Sequence, residues 1–102
     1  MTGPFILTAA AARDLDDIFQ YMLEHGGATA ALRVHERLYE GFTKVGTSPT
    51  VGHVRDDLAD EALRVWVVFS YLIIYRSGTR PIQILRVIHG ARDLPRAIDE
   101  RE

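Results

Sequence analysis

The sequence predicts an α+β fold: an N-terminal strand, an antiparallel helical hairpin packed on one face of a small antiparallel sheet, and a short C-terminal helix. Two observations support this fold class. Apolar residues recur at helical spacing in the first half of the chain, whereas the second half has runs dense in β-branched and aromatic residues. The 102 residues suffice for one compact domain, so we expect a single domain over residues 1–102.

The first predicted elements are a strand and a helix. Phe5–Leu7 is typical of a short strand, and Thr8 is a suitable N-cap for the helix that follows. Four apolar residues of this helix share one face because of their spacing: Leu15, Ile18, Phe19 and Met22. We expect Gly26–Gly27 to end the helix.

A second helix is predicted over roughly residues 28–45. Its apolar residues keep the same spacing: Ala31, Val34, Leu38, Phe42 and Val45. Gly46 and the TSP segment after it are expected to end this helix. Two helices joined by a Gly-Gly turn must run antiparallel, which gives the helical hairpin.

A polar loop and a pair of strands are predicted next. The segment TSPTVGHVRDDLADEA, residues 47–62, has the composition of a loop. Residues 63–69 (LRVWVVF) and 71–76 (YLIIYR) are rich in β-branched and aromatic side chains, and only Ser70 separates them. We therefore predict a tight antiparallel pair.

The last predicted elements are a third strand and a short helix. Residues 82–89 (IQILRVIH) are apolar on both faces, which predicts a central strand covered on one side by the helices. Asp93 is suited to cap a final helix with Pro95 in its first turn.

The composition excludes several classes of protein. Cysteine is absent, which excludes thiol catalysis, cysteine-ligated zinc and disulfides, and is compatible with a reducing cytoplasm. The N-terminal MTGPFILTAAAARD lacks the basic lead of a secretory signal. The longest apolar run, Val65–Tyr75, is interrupted by Ser70 and is too short to span a bilayer. We expect a cytoplasmic protein that does not contact membranes.

The charges are distributed unevenly along the chain. The formal net charge is -2, but residues 1–63 carry -5, residues 64–96 carry +5 and residues 97–102 carry -2. Six of the seven charged residues in the middle segment are arginines. They indicate either an anionic partner for this part of the chain or pairing with the acidic residues of the helices.

Several catalytic motifs are absent from the sequence. No nucleotide-binding glycine motif is present. The segment HERLYE begins like a zinc-protease helix, but Tyr39 stands where the second histidine is needed. Ser70 and Ser77 have no base nearby in the sequence. We therefore expect no cofactor and no metal site.

The segment RVIHGARDL, residues 86–94, contains one group of residues with catalytic potential. Arg86 and His89, together with Arg64 on an earlier strand, are predicted to converge on the sheet face opposite the helices. A histidine beside two arginines is suited to RNA cleavage, with acid–base catalysis by the imidazole and charge stabilisation by the guanidinium groups. Alternatively, His89 and Arg92 cap the strand and pair with Asp93.

Three blocks of the sequence carry a resemblance to a known family. They are LTAAAARDLDDIFQY near the start, SPTVGHVRDDL in the middle, and LRVWVVFSYLIIYR with IQILRVIHGARDL towards the end. In combination they resemble the ParE toxins, which belong to the ParE/RelE superfamily of bacterial type II toxin–antitoxin systems. The resemblance covers about residues 5–98 and implies the same order of elements as predicted above.

The superfamily contains two functional branches. RelE-like members are basic, ribosome-dependent mRNA endonucleases with catalytic Arg, Lys, His or Tyr side chains on the sheet. ParE-like members lack the full catalytic set and typically poison DNA gyrase. A net charge of -2 disfavours docking into ribosomal RNA, no tyrosine follows Tyr75, and the only lysine, Lys44, is predicted on the second helix. The residues therefore favour the ParE-like branch and a protein without enzymatic activity.

The resemblance implies two protein partners, DNA gyrase and a ParD-like antitoxin, and no sequence-specific binding of nucleic acid. The candidate contacts to the target are Arg64, Trp66, Arg76, Arg86, His89 and Arg92. Trp66 either lies exposed beside Arg64 or is buried under the helices. The antitoxin is expected to lay an amphipathic segment across the hairpin and the sheet. The candidate groove residues are Leu15, Ile18, Phe19, Met22, Val34 and Leu38.

Two alternatives remain open. The first is a RelE-like ribosome-dependent mRNA endonuclease that uses Arg64, Arg86 and His89. The second is an inactive homologue that acts only in the complex with its antitoxin.

Overall fold

The computed structural model describes residues 3–54 and 63–90. Their elements in chain order are β1 (Phe5–Leu7), α1 (Ala9–Thr47), β2 (His53–Val54), β3 (Leu63–Val68), β4 (Tyr71–Arg76) and β5 (Ile82–His89). The α+β class, the N-terminal strand and the three strands of the second half are thus confirmed. The predicted C-terminal helix lies outside the described residues.

The helix α1 begins at the predicted cap. The Thr8 hydroxyl oxygen accepts a hydrogen bond from the Ala11 N–H at 3.1 Å, which satisfies one of the free donors of the first turn. The structure has one helical element from Ala9 to Thr47. The sequence predicted two helices, of which the second ends near Val45. The backbone leaves helical geometry at Gly27, with φ 86° and ψ 174°. Within the described ranges, no helix combines the length and apolarity needed to cross a membrane.

The chain changes direction at Gly27. The rings of Phe19 and His35 lie 5.8 Å apart, centroid to centroid. In a straight helix, sixteen residues would separate these positions by about 24 Å. The part before Gly27, the first arm (residues 9–26), therefore lies beside the part after it, the second arm (residues 28–47).

The sheet has the order β1-β5-β4-β3-β2. The predicted central strand β5 is an interior strand, next to the edge strand β1, and the middle strand is β4. The prediction of a wholly antiparallel sheet is wrong. β1 pairs in parallel with β5, Phe5 opposite Ile82, whereas the other pairs are antiparallel. No local pattern reveals the direction of so short a strand relative to a partner far along the chain. The predicted loop also contains β2, whose two residues are too few to show alternation.

The main hydrophobic core lies between α1 and one face of the sheet, here called the helix-facing side. Its buried residues are Ala11, Leu15, Leu38, Phe42, Val45, Val68, Tyr71, Ile73, Tyr75, Ile82, Ile84 and Val87. Gly41 allows the helix to approach closely, because a Cβ there would lie 2.8 Å from Ile73 Cδ1. A second, smaller cluster contains Leu63, Val65, Ile74 and Ile88.

The first turns of α1 complete the hydrogen bonding of the β5 edge. β1 pairs only as far as Ile84, so the later backbone groups of β5 need other partners. The Thr8 hydroxyl donates to the Leu85 carbonyl oxygen at 2.9 Å, and Asp14 Oδ2 accepts the Val87 N–H at 2.9 Å. This junction fixes where α1 starts relative to the sheet.

The break at Gly27 yields a stability prediction. Its φ and ψ lie in a region that is essentially restricted to glycine, so Gly27→Ala should lower the free energy of unfolding by about 1–3 kcal/mol. Urea denaturation measures this change. Gly78→Ala is the matched control, because a Cβ there meets nothing within 4 Å and the backbone has no left-handed φ. Equal stability of the two variants would contradict the described break.

Candidate interaction cleft

An open cleft lies at the end of the sheet where β3 turns into β4. It has a volume of about 430 Å³ and lies between both arms of α1, the β3–β4 turn and the end of β5. We call it the tip cleft. Its lining residues are Tyr21, Met22, Ala30, Arg33, Val34, Phe69, Ser70, Tyr71 and His89.

Aromatic and imidazole rings form part of its wall. His89 lies opposite Tyr71 in the β4–β5 register, and the two rings meet edge to face with centroids 5.8 Å apart. Tyr21 stacks on His25 at 4.1 Å, and His25 Nδ1 donates to the Tyr21 carbonyl oxygen at 2.9 Å. These contacts hold the rings in place at the end of the first arm and at the end of β5.

The turn at the rim of the tip cleft has an unusual conformation. Phe69 has φ +54°, and among the described residues no other residue except glycine has a positive φ. Bulky side chains are disfavoured there because the Cβ crowds the backbone. The Phe69 side chain is nonetheless half exposed, and the Arg37 guanidinium carbon lies 5.0 Å from its ring centroid.

The tip cleft carries a cation without a partner. Among the described residues, Arg33 forms neither a hydrogen bond nor an ion pair. Arg37 differs, because its Nε lies 3.5 Å from Glu40 Oε2. Across residues 3–54 and 63–90, no three His, Asp or Glu side chains are grouped as metal ligands. The cleft therefore combines an apolar lining with one available positive charge.

Two of the predicted site arginines are held by the fold. Arg64 Nη1 donates to the Gly52 carbonyl oxygen at 2.9 Å. Arg86 Nε and Nη2 donate to the two carboxylate oxygens of Asp14 at 2.8 and 3.1 Å. Such paired hydrogen bonds fix the guanidinium plane as well as its position. Both side chains thus stabilise contacts within the chain.

The predicted convergence of Arg64, Arg86 and His89 on the face opposite the helices is wrong. In the register, Arg64 lies opposite Tyr75 and His89 lies opposite Tyr71, and both tyrosines belong to the main core on the helix-facing side. These two positions on β4 are about 13 Å apart along the strand. Arg86 is drawn to Asp14 at the sheet edge. The three side chains therefore occupy three separate places.

The other candidate target contacts are also separated. Trp66 is partly buried and packs against the main core, which fits the predicted alternative of burial under the helices. Arg76 lies opposite Leu63, which belongs to the second cluster, and has a partner of its own. Arg92 lies outside the described residues. Of the target-contact candidates, His89 lines the tip cleft.

The candidate groove residues fall into three environments. Leu15 and Leu38 are buried in the main core, so they fill the contact between helix and sheet and offer no open groove. Ile18 and Phe19 are only partly buried and lie at the seam between the two arms, which Leu15 and Leu38 also line. Met22 and Val34 line the tip cleft. An amphipathic stripe alone cannot separate these cases, because all six residues have helical spacing.

The sequence analysis missed Arg33 and Phe69. The sequence analysis placed Phe69 in the strand that ends before Ser70, whereas in the structure β3 ends at Val68 and Phe69 lies in the two-residue turn. A one-residue turn between antiparallel strands was the available warning, because hairpin turns need at least two residues. Arg33 carried no such warning, because an arginine on a helix is ordinary until its neighbours are known.

Tyr75 fixes the loop that holds Arg64. Its hydroxyl donates to the Pro49 carbonyl oxygen at 2.7 Å and accepts the Gly52 N–H at 2.9 Å. Burial raises the pKa of Tyr75 above its ordinary value, although the Gly52 hydrogen bond and the Arg64 charge oppose the shift. The buried neutral phenol is thus a structural link between β4 and the segment before β2.

Comparison with known proteins places these observations in context. Residues 5–94 match the family described as ParE toxin of type II toxin-antitoxin system, parDE. Toxin ParE3 of Caulobacter vibrioides is 29% identical over 92 residues, which cover 90% of this chain and 91% of that protein. Toxin ParE1 of the same bacterium is 29% identical over 86 residues, 84% of this chain and 88% of that protein.

A solved structure shares the fold. It comes from the chromosomal ParDE TA system from P. aeruginosa and matches with a TM-score of 0.71 and 21% identity. The match covers 83% of this chain and 92% of that chain.

The Tyr75 link yields a prediction at neutral pH. Tyr75→Phe should lower the free energy of unfolding by about 1–3 kcal/mol, because the Gly52 N–H and the Pro49 carbonyl lose their buried partner. Urea denaturation tests this. Tyr39→Phe is the control, since its side chain is 37% exposed and its hydroxyl has no hydrogen bond in the described part of the chain.

The same variant should change the alkaline limit of stability. Because the pKa of Tyr75 is raised, the folded state keeps its proton where the unfolded state, with the ordinary pKa of 10.0, releases it. The stability from the neutral phenol is therefore complete below pH 10 and falls as the pH rises above it. The wild type should lose stability more steeply there than Tyr75→Phe. Parallel curves for the two proteins would contradict this role.

Proposed function

The chain belongs to the ParE family of toxins of type II toxin–antitoxin systems, and from this membership we propose that it inhibits DNA gyrase in the cytoplasm and is neutralised by a ParD-like antitoxin. The observation that carries the proposal is the family match over residues 5–94. The chain also spans 91% of Toxin ParE3, so the likeness extends across nearly all of that relative.

We propose further that this inhibition needs no enzymatic step by the toxin. The separation of Arg64, Arg86 and His89 supports this, because acid–base catalysis requires its groups within hydrogen-bond reach of one substrate. The internal hydrogen bonds of Arg64 and Arg86 also leave their charges engaged. The net charge of -2 is unfavourable for docking into ribosomal RNA.

The antitoxin would bind as an amphipathic segment laid across the two arms and the end of the sheet. Accessible apolar side chains at Met22 and Val34 support this placement, since both line the tip cleft. Such segments dock an apolar face into a groove and leave their polar face in water. Leu15 and Leu38 would support this surface from beneath, as core residues.

Plasmid supercoiling by purified gyrase tests the proposed target. We expect loss of supercoiling and accumulation of cleaved plasmid as the purified toxin is added. Toxin premixed with its ParD antitoxin is the control and should leave supercoiling intact. No effect at a large excess of folded toxin would contradict gyrase inhibition. Cleavage of mRNA in a purified translation reaction, abolished by His89→Ala, would instead favour the RelE-like activity.

A further inference from the structure

We propose that the tip cleft anchors the neutralising segment of the antitoxin by binding one apolar side chain, with a neighbouring carboxylate of the same segment paired to Arg33. This inference rests on the proposed function for the identity of the partner. It adds the chemistry of recognition and the residues that determine it, Arg33 and Phe69.

The shape and lining of the tip cleft fit an inserted side chain. This open cleft has a volume of about 430 Å³, which lies within the range of protein ligand sites and is enough for one side chain. Met22, Val34 and Phe69 supply apolar surface from both arms and from the turn. Because these residues come from three parts of the chain, the cleft exists only in the folded toxin.

The charge of the tip cleft specifies what accompanies the apolar group. Arg33 has no ion pair among the described residues, whereas the neighbouring Arg37 lies 3.5 Å from Glu40 and over the Phe69 ring. Arg33 is exposed at the rim of the cleft, and a guanidinium can bind a carboxylate through two parallel hydrogen bonds that fix its orientation. The proposed occupant therefore brings a negative charge beside its apolar side chain.

Phe69 gives an independent reason to assign binding to this place. Two-residue hairpin turns favour glycine, asparagine or aspartate at positive φ, yet here a phenylalanine takes φ +54° with its side chain half exposed. This choice disfavours the isolated fold and leaves an aromatic side chain half exposed. Backbone strain of this kind concentrates at sites of function, and exposed aromatic side chains are frequent centres of binding energy.

These features together select a linear acidic and apolar protein segment as the occupant. Successive residues of one segment can place a carboxylate on Arg33 and an apolar side chain between Val34 and Phe69. In a toxin–antitoxin pair, the antitoxin is the protein that must cover the toxin surface to neutralise it. We therefore assign the tip cleft to the antitoxin.

Binding measurements with the purified full-length cognate ParD-like antitoxin test the proposal. Arg33→Glu and Phe69→Gly should each weaken the affinity at least tenfold, as measured by isothermal titration calorimetry. The melting temperature of Phe69→Gly should be unchanged or higher, because glycine accepts the positive φ. Lysine replacement of each acidic residue of the antitoxin in turn should reveal one that restores binding to Arg33→Glu.

Two control variants match these changes. Arg80→Glu reverses the charge of an exposed arginine, whose guanidinium donates to the Ser77 carbonyl oxygen at the other end of β4. Val54→Ala shortens an apolar side chain on β2 that is 49% exposed. Both should bind the antitoxin like the wild type.

Each contrary outcome has a distinct meaning. Absence of antitoxin binding by the wild type would overturn the proposed partnership itself. Binding by the wild type and equally tight binding by Arg33→Glu and Phe69→Gly would overturn only the role of the tip cleft. Variants that bind antitoxin normally but no longer arrest growth would show that the cleft serves the target instead, which also overturns the proposal.

Discussion

The edge of β5 imposes the constraint on which the rest of the structure depends. β1 is three residues long and covers only the start of this edge, so the remaining backbone groups of β5 need other partners. Thr8 and Asp14 provide them from the first two turns of α1, and Asp14 also binds the Arg86 side chain. This junction of Thr8, Asp14 and Arg86 completes the hydrogen bonding of the β5 edge and caps α1. It thereby sets the position of the first arm.

The position of the first arm determines the surface offered to partners. From the junction, α1 runs over the main core until Gly27 turns the second arm back beside it. This arrangement brings the end of the first arm, the β3–β4 turn and the end of β5 around the tip cleft. The arginines near the core hold the fold, Arg86 at the junction and Arg64 at the Gly52 loop, whereas Arg33 stays available at the cleft. Two arginines of the positively charged segment 64–96 therefore serve the structure, whereas the available cation of the tip cleft lies outside that segment.

Local chemistry was enough to predict much of the fold. The Thr8 cap, the β-branched runs of β3 and β4, and the interior position of β5 follow from residues close together in the sequence. The parallel pairing of β1 and the two-residue β2 do not, because each depends on a partner that local periodicity cannot reveal. The candidate site was harder to predict. His89 was found as a residue of interest, but its place beside Tyr71 and its distance from Arg64 required the strand register.

The coupling between Asp14 and Arg86 is the most direct test of the junction. A double-mutant cycle with Asp14→Ala, Arg86→Ala and the double variant, measured by urea denaturation, isolates the interaction from the other effects of each change. If the junction positions α1 as described, the two substitutions should be non-additive by about 1 kcal/mol or more. Changes that add to within about 0.3 kcal/mol would show that the two side chains act independently. That result would contradict the structural role assigned to Arg86.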